Sequence, residues 1–187
     1  NFHPLEIYNN EYTRMKKMSN NVIKRGNTAI SRQKMSRPMK KLLESGKFDN
    51  VRVLDYGCGK GFDVEYLNSM GFDIKGYEPF ASDKYLQLPS GKFDIVTSNY
   101  VLNVVENPQE RKELIEKMKK LSNGEVYITV RADKKSINST TWKSYNDGFL
   151  TPKGTFQKIY DEKSLKEEFG NVEICWKDAM GITFKVK

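Results

Sequence analysis

The sequence of 187 residues lacks long apolar runs, paired cysteines and, apart from His3, histidine. No apolar stretch approaches the roughly 20 residues that a membrane-spanning helix needs, and the first residues show no basic-then-apolar signal pattern. The two cysteines, Cys58 and Cys175, stand far apart, so their spacing indicates neither a disulfide framework nor a metal site. We therefore expect a protein of the reducing cytoplasm with no membrane partner and no metal. Because His3 is close to the terminus, it is not expected to act as a catalytic base.

Acidic residues are scarce in two parts of the chain, which carries a net charge of +8. Residues 1–50 contain 11 Lys or Arg against 4 Asp or Glu, and residues 131–158 contain 6 against 2. Clustered cations attract phosphate groups. The charge pattern therefore favours nucleic acid or another anionic partner, although a lysine-rich solvated surface explains the same composition.

Strand and helix patterns alternate along the chain after a basic arm. Apolar runs and turn residues predict strands at 51–56, 72–78, 84–88, 93–99, 124–132, 172–177 and 182–187. Capping and breaker residues predict helices at 36–45, 62–70, 107–121 and 162–169. This order predicts an α/β fold with a mostly parallel sheet that ends in an antiparallel hairpin. We divide the chain into an arm and lead helix (1–47) and one domain (48–187), with an irregular substrate-side insertion at 133–158.

A glycine-rich loop follows the first predicted strand. In the stretch VLDYGCGKGF, Gly57, Gly59 and Gly61 have the spacing G-x-G-x-G, and Asp55 precedes them. A carboxylate is unfavourable beside the pyrophosphate of a dinucleotide, but favourable beside the ammonium and sulfonium of S-adenosylmethionine. Glu78, at the end of the second strand, is placed to accept both ribose hydroxyls. The loop and the two acids predict S-adenosylmethionine as the cofactor; a nicotinamide cofactor and a plain strand-to-helix turn are the alternatives.

The chain resembles the class I S-adenosylmethionine-dependent methyltransferases in the segments VLDYGCGKG, GYEP and FDIVTSNYVLNVVENP. The resemblance covers about residues 48–187 and implies a Rossmann-like methyltransferase sandwich with a seven-stranded sheet and a reversed last strand. With the glycine loop, it predicts these cofactor contacts: Asp55, Gly57, Cys58, Gly59, Glu78, Pro79, Asn99 and Tyr100.

A narrower resemblance concerns three separated segments, TAISRQKMSRPM, VLNVVENPQER and DGFLTPKGTFQK. They are similar to the DNA phosphorothioation-associated putative methyltransferases. This similarity implies methyltransferase activity and, by association, DNA as the substrate and other modification-system proteins as partners. It does not indicate an oligomeric state.

The methyl acceptor is harder to predict, because in-line methyl transfer depends mainly on positioning. The loop after the fourth predicted strand, Asn99-Tyr100-Val101-Leu102, has no cysteine, which excludes cytosine C5 methylation, and lacks the prolines of enzymes that methylate DNA amino groups. We predict that Tyr100 and Asn103 position the acceptor rather than act as bases; for Asn103 a turn that bonds its own backbone is the alternative.

Substrate contacts are predicted in the two basic blocks. In the insertion, aromatic residues interleave with lysines, a pattern that suits stacked bases and phosphates and equally suits a small loop core. The predicted substrate-binding residues are Arg25, Thr28, Arg32, Tyr145, Asp147 and Phe156.

Three functions fit these patterns. The first is a methyltransferase that acts on nucleic acid or a nucleotide-derived group, within a DNA-modification system. The second is a small-molecule methyltransferase with an anionic acceptor. The third is an accessory protein that binds the cofactor without turnover.

Overall fold

Strands and helices alternate through most of the protein, as the sequence predicts. The structure is a computed structural model that describes residues 23–186; most of the basic arm, with His3, lies outside the described residues. The α-helices of this range are α1 (Arg37–Glu44), α2 (Phe62–Ser69), α3 (Pro108–Leu121) and α4 (Glu162–Phe169). Its strands are β1 (Arg52–Tyr56), β2 (Asp73–Tyr77), β3 (Phe93–Asn99), β4 (Ser122–Arg131), β5 (Lys143–Tyr145), β6 (Gly148–Leu150), β7 (Phe156–Gln157), β8 (Glu173–Lys177) and β9 (Gly181–Val186). Within residues 23–186, each helix is too short or too polar to cross a bilayer.

The main sheet has the strand order β2-β1-β3-β4-β9-β8. Strands β1 to β4 pair in parallel, β9 pairs antiparallel with β4, and β8 pairs antiparallel with β9. The predicted α/β Rossmann-like fold, with a parallel core and a C-terminal antiparallel hairpin, is confirmed.

Helices cover both faces of this sheet and bury a separate apolar cluster on each. Met39 and Leu42 of α1 pack with Val64 and Leu67 of α2 on one face. The other face carries the apolar side of α3 and α4, including Leu114, Ile115, Met118 and Leu165. Asn107 caps α3 by accepting the backbone N–H groups of Gln109 and Glu110.

The prediction of a seven-stranded sheet is wrong by one strand in the described part of the chain. Residues 84–88 do not extend along β2; a short 3₁₀ turn forms at Asp83–Tyr85 instead. The backbone N–H of Glu78 donates to the carbonyl of Tyr85 at 2.8 Å, so this segment folds back onto the end of β2. The sheet therefore has six strands in residues 23–186.

The insertion at 133–158 is more regular than predicted. It contains a three-stranded antiparallel sheet in which β6 lies between β5 and β7. Asn146, with φ of 48°, and Asp147 form the two-residue turn between β5 and β6. The sequence Asn-Asp-Gly at this turn is typical of a hairpin and could have predicted it.

Candidate active site

A cavity lies at the carboxyl ends of the parallel strands, where open α/β sheets bind their ligands. It brings together all eight residues predicted to contact the cofactor, along with Arg25, Thr28 and Arg32. The remaining lining residues include the acids Asp63 and Glu110, the polar residues Ser36 and Lys60, and the apolar residues Phe80, Val101, Val104, Val105 and Leu114.

The glycine loop turns sharply from β1 into α2. Gly57, Gly59 and Gly61 have φ values of 84°, 59° and 82°, a region that favours glycine. The backbone N–H groups of Gly57 and Cys58 both donate to the carbonyl of Tyr77, at 2.7 and 3.2 Å. The loop is thus bonded to the end of β2 and exposes little side-chain bulk to the cavity.

Glu78 connects the end of β2 to the glycine loop. Its carboxylate accepts the backbone N–H of Gly59 at 3.1 Å through Oε2, and that of Phe80 at 2.8 Å through Oε1. The residue is 8% exposed, and burial raises the pKa of its carboxyl despite these hydrogen bonds. Oε1 also accepts the backbone N–H of Ala81 at 3.2 Å, whereas Oε2 accepts one hydrogen bond among the described residues. Because a carboxylate oxygen can accept two, Oε2 keeps acceptor capacity toward the cavity.

Asp55 is the acid of the site whose pKa departs furthest from its ordinary value. It is 3% exposed, and Oδ1 accepts the hydroxyl of Thr97 at 2.9 Å. Burial, together with repulsion from Asp63, raises the pKa of Asp55 from its ordinary 3.8 to about 7. A carboxyl that titrates near neutrality becomes ionised readily when a cation enters the cavity.

The pKa of Asp55 predicts that it makes folding stability depend on pH. Because the folded pKa lies above the unfolded value, the native state holds a proton that the unfolded chain has lost. We expect the free energy of unfolding to fall as pH rises from about 4 to 7, relative to Asp55→Asn, by up to ~1.4 kcal/mol per pH unit. Urea unfolding of both proteins at several pH values measures this difference. Parallel stability curves across this range would contradict the assignment.

Tyr100 follows β3 and forms one wall of the cavity. Its φ of 62° is unusual for a residue with a large side chain, and such strain is common at ligand-binding sites. Burial and the charge of Asp178 raise the pKa of its hydroxyl, while the charges of Arg32, Arg37 and Arg131 oppose the shift. The hydroxyl therefore keeps its proton at neutral pH.

The segment of residues 23–36 closes one side of the cavity. Arg25 is bound there by two carboxylates: Nη2 lies 2.9 Å from Oε2 of Glu106 and 2.7 Å from Oε2 of Glu110. Its guanidinium also lies 5.9 Å from the ring centre of Phe80. The hydroxyl of Thr28 donates to the carbonyl of Arg25 at 2.6 Å. Arg25 and Thr28 thus hold the segment in place, and their side chains are already engaged.

Asn103 does not line the cavity. It is 2% exposed, its Nδ2 donates to Oε1 of Gln157 at 3.2 Å, and its Oδ1 accepts the backbone N–H of Arg131 at 3.3 Å. These bonds join the segment after β3 to β4 and the small sheet. The structure therefore gives no support for the prediction that Asn103 contacts an acceptor.

Three predicted substrate residues of the insertion also lie outside the cavity lining. Phe156 is fully buried, and the ring of Tyr145 packs edge-on against it at 6.3 Å. Asp147 accepts hydrogen bonds from Arg111 and, at 2.7 Å, from Lys158. These residues stabilise the small sheet, so the alternative of a loop core describes them better than substrate contact.

Three buried polar residues, Arg111, Asp63 and Ser36, were predicted only as parts of helices. Arg111 has a fully buried side chain that also binds Glu168. Asp63 accepts the backbone N–H of Ser36 at 2.9 Å, and both residues line the cavity. The position of Asp63, two residues after the last loop glycine, was a usable signal; the partners of Arg111 lie too far away in sequence.

The cavity suits S-adenosylmethionine in the chemistry of its walls. Buried carboxylates at Asp55 and Asp63 match a cationic amino-acid end, Glu78 matches hydroxyl donors, and apolar side chains on α3 and after β3 match an adenine ring. With the strand order and the glycine loop, these features define a Rossmann-like S-adenosylmethionine-dependent methyltransferase.

Comparison with known families identifies the chain more closely. Residues 28–172 match the family described as methyltransferase domain, and the chain belongs to that family. It is an S-adenosylmethionine-dependent methyltransferase. The match gives no support for the narrower resemblance to the DNA phosphorothioation-associated group. A comparison with curated proteins finds no significant match.

Solved structures share the fold at low sequence identity. Magnesium protoporphyrin IX methyltransferase from Synechocystis, solved with bound S-adenosylmethionine, is 14% identical with a TM-score of 0.53, over 93% of this chain and 95% of that one. The 1,6-didemethyltoxoflavin-N1-methyltransferase from Burkholderia thailandensis is 13% identical with a TM-score of 0.55, over 96% and 85%. An S-adenosylmethionine-dependent methyltransferase from Clostridium acetobutylicum is 14% identical with a TM-score of 0.52, over 94% and 98%.

Proposed function

We propose that this methyltransferase acts on a small anionic acceptor that binds beside Tyr100. The observation that carries the proposal is the Tyr100 hydroxyl in the cavity wall, which feels the positive charges of two arginines outside the cavity lining, Arg37 and Arg131. Arginine is suited to carboxylate and phosphate groups because its donors form a planar fork. The protonated hydroxyl of Tyr100 adds a further donor.

We propose the following roles for the residues around the cofactor. Glu78 accepts hydrogen bonds from the ribose hydroxyls, and Asp55 stabilises the cationic end through the charge it gains on ionisation. Gly57 and Gly59 allow the adenosine to approach the backbone. When bound, the cofactor supplies an electrophilic methyl group on a sulfonium. The residues of this chain then orient the acceptor and exclude water, which supplies much of the catalysis in a displacement of this kind.

The packing of the insertion favours a small acceptor over stacked bases. Trp142 and Phe149 lie with ring centres 6.2 Å apart, and the guanidinium of Arg131 lies 5.6 Å from the ring centre of Trp142. Aromatic side chains engaged with each other offer less free face to a nucleic acid base. Two of the fold relatives above carry names of enzymes that act on small molecules, magnesium protoporphyrin IX and 1,6-didemethyltoxoflavin.

The acceptor can be identified by methyl transfer into fractionated cell extract. We expect tritium from labelled S-adenosylmethionine to enter small molecules that an anion-exchange column retains. Arg131→Gln is expected to lower the transfer about tenfold at limiting acceptor, the loss typical of one charge-assisted hydrogen bond. Lys163→Gln, which removes the same charge from a remote side chain that is 84% exposed, serves as the control.

Label found only in the nucleic acid fraction would overturn the small-acceptor proposal. So would equal transfer by Arg131→Gln and Lys163→Gln into every fraction. Absence of label from every fraction would favour the role of a cofactor-binding accessory protein.

Nucleic acid is the second candidate acceptor, favoured by exposed lysines on the insertion. Lys134, Lys135, Lys143 and Lys153 are all exposed, and the chain carries a net charge of +8. If this surface binds phosphates, affinity for DNA or RNA falls steeply with salt. A flat response across a salt series would exclude nucleic acid as the acceptor.

Cytoplasmic location and modification-system partners stay predictions of the sequence.

A further inference from the structure

The hydroxyl of Ser36 is a buried hydrogen-bonding group whose partner is not found among the described residues. Ser36 is 2% exposed and lines the cavity, and its Oγ has no hydrogen bond within residues 23–186. Its backbone, in contrast, is fully used: the N–H donates to Asp63 and the carbonyl accepts from Lys40 at 2.9 Å. A buried hydroxyl without a partner destabilises the folded state. A ligand in the cavity would satisfy it.

Ser36 lies at the N-terminus of α1, where its side chain would normally be used for capping. It is the N-cap residue of α1, and a serine there usually accepts a backbone N–H of the first helical turn. Here the side chain makes no capping bond, and the first turn contains no acidic residue. The positive end of the helix dipole is therefore not neutralised from within the helix. A free hydroxyl at a helix N-terminus favours an anion as the missing partner.

Arg32 supplies the positive charge on the same side of the cavity. Of the two arginines predicted here, Arg25 is already bound by Glu106 and Glu110. Arg32 is half-buried in the cavity lining, and its charge acts on both Asp55 and Tyr100. It lies four residues before Ser36, so both belong to the stretch of chain that enters α1.

We propose that Ser36 Oγ and the guanidinium of Arg32 bind the carboxylate of the methionine part of S-adenosylmethionine. The amino-acid end of the cofactor carries an ammonium as well as a carboxylate. Asp55 and Asp63 line the cavity and suit the ammonium, while Ser36, Arg32 and the start of α1 suit the carboxylate. The two opposite charges thus meet walls of opposite sign. This assignment depends on cofactor use and is independent of the acceptor.

Calorimetry with two cofactor forms tests the assignment directly. S-adenosylmethionine has the carboxylate, and decarboxylated S-adenosylmethionine lacks it but keeps the ammonium and the sulfonium. We expect Ser36→Ala and Arg32→Gln each to weaken binding of the intact cofactor about tenfold, the value for one charge-assisted hydrogen bond. Binding of the decarboxylated form should change less than about twofold, since the lost interaction is absent there already. Ser36→Thr, which keeps a hydroxyl, should retain most of the affinity.

Ser98→Ala is the matched control for the serine variant. Ser98 is the other buried serine of the described chain whose hydroxyl has no partner, and it is absent from the cavity lining. It should bind both cofactor forms like the parent protein. If Ser36→Ala does not fold, the half-buried Arg32→Gln still decides the question.

Two outcomes would overturn the assignment. The first is an equal loss of affinity for intact and decarboxylated cofactor, which would indicate a general disturbance of the cavity. The second is unchanged affinity for the intact cofactor together with reduced methyl transfer, which would assign this anion site to the acceptor. Neither outcome depends on which acceptor fraction becomes labelled, so the proposed function is tested separately.

Discussion

Gly57→Ala is expected to weaken S-adenosylmethionine binding by about 100-fold or more, equivalent to ~2.7 kcal/mol. A Cβ at this position would lie 2.2 Å from Cγ2 of Val101. Val101 follows the strained Tyr100, so relief of this clash moves the turn that forms the opposite wall of the cavity. The φ of 84° adds a backbone cost of about 1–2 kcal/mol for any residue with a Cβ. Calorimetry measures the affinity, and urea unfolding measures the stability.

Gly71→Ala separates the two effects. Gly71 has a φ of 93°, and among residues 23–186 its Cβ would have no neighbour within 4 Å, so alanine there carries the backbone cost without the clash. It should lose stability but keep cofactor affinity. Adding Val101→Ala to Gly57→Ala removes the clashing methyl and should recover part of the binding. If Gly57→Ala and Gly71→Ala bind the cofactor within about threefold of each other, the proposed close approach is wrong.

Arg111→Met is expected to destabilise the fold by about 3–5 kcal/mol, the usual cost of removing one partner of a buried ion pair, here the pair with the buried carboxylate of Glu168. The Arg111 side chain is fully buried and binds Asp147 and Glu168, and its Nη1 donates to the carbonyl of Val105 at 2.8 Å. Without it, Lys158 alone would face both carboxylates. Because a domain is typically stable by only about 5–15 kcal/mol, urea unfolding should show a large drop in the midpoint.

The double variant Arg111→Met with Glu168→Gln tests the cause of this loss. Removing the charge of Glu168, whose side chain is 8% exposed, should make the double variant more stable than the sum of the two single changes predicts. Lys40→Met removes a cation from an exposed pair with Glu44 and should change stability by less than about 1 kcal/mol. Strict additivity of the two buried changes would contradict the network.

The parts of the fold that local sequence determines were predicted well. Pro38 marks the start of α1, and Asn107 with Pro108 marks that of α3, because signals for a helix start act within a few residues. The glycine loop, Asp55 and Glu78 were placed correctly since strand ends in a parallel sheet meet at one edge. These residues therefore gave the class of fold and the location of the cavity.

The errors concern residues whose environment depends on distant partners. Residues 84–88 were predicted to form a strand. Instead, the carbonyl of Tyr85 accepts the backbone N–H of Glu78, and its ring packs against Gly61 and Gly76. Asp147 looked like a substrate contact because its partner Arg111 lies 36 residues earlier. Ser36 read as an ordinary cap, since the missing capping bond is visible only in three dimensions.

The absence of the expected strand beside β2 within residues 23–186 leaves this strand at the border of the sheet. An exposed edge strand of this kind can pair with strands of other molecules and promote aggregation unless it is protected. At one end of β2, Asp73 and Lys75 are exposed and lie 3.8 Å apart as an ion pair, which disfavours an incoming apolar strand. At the other end, the backbone N–H of Glu78 is already bonded to Tyr85. The turn at Asp83–Tyr85 thus protects this end of the edge strand, because it occupies a backbone group that another strand would need in order to pair.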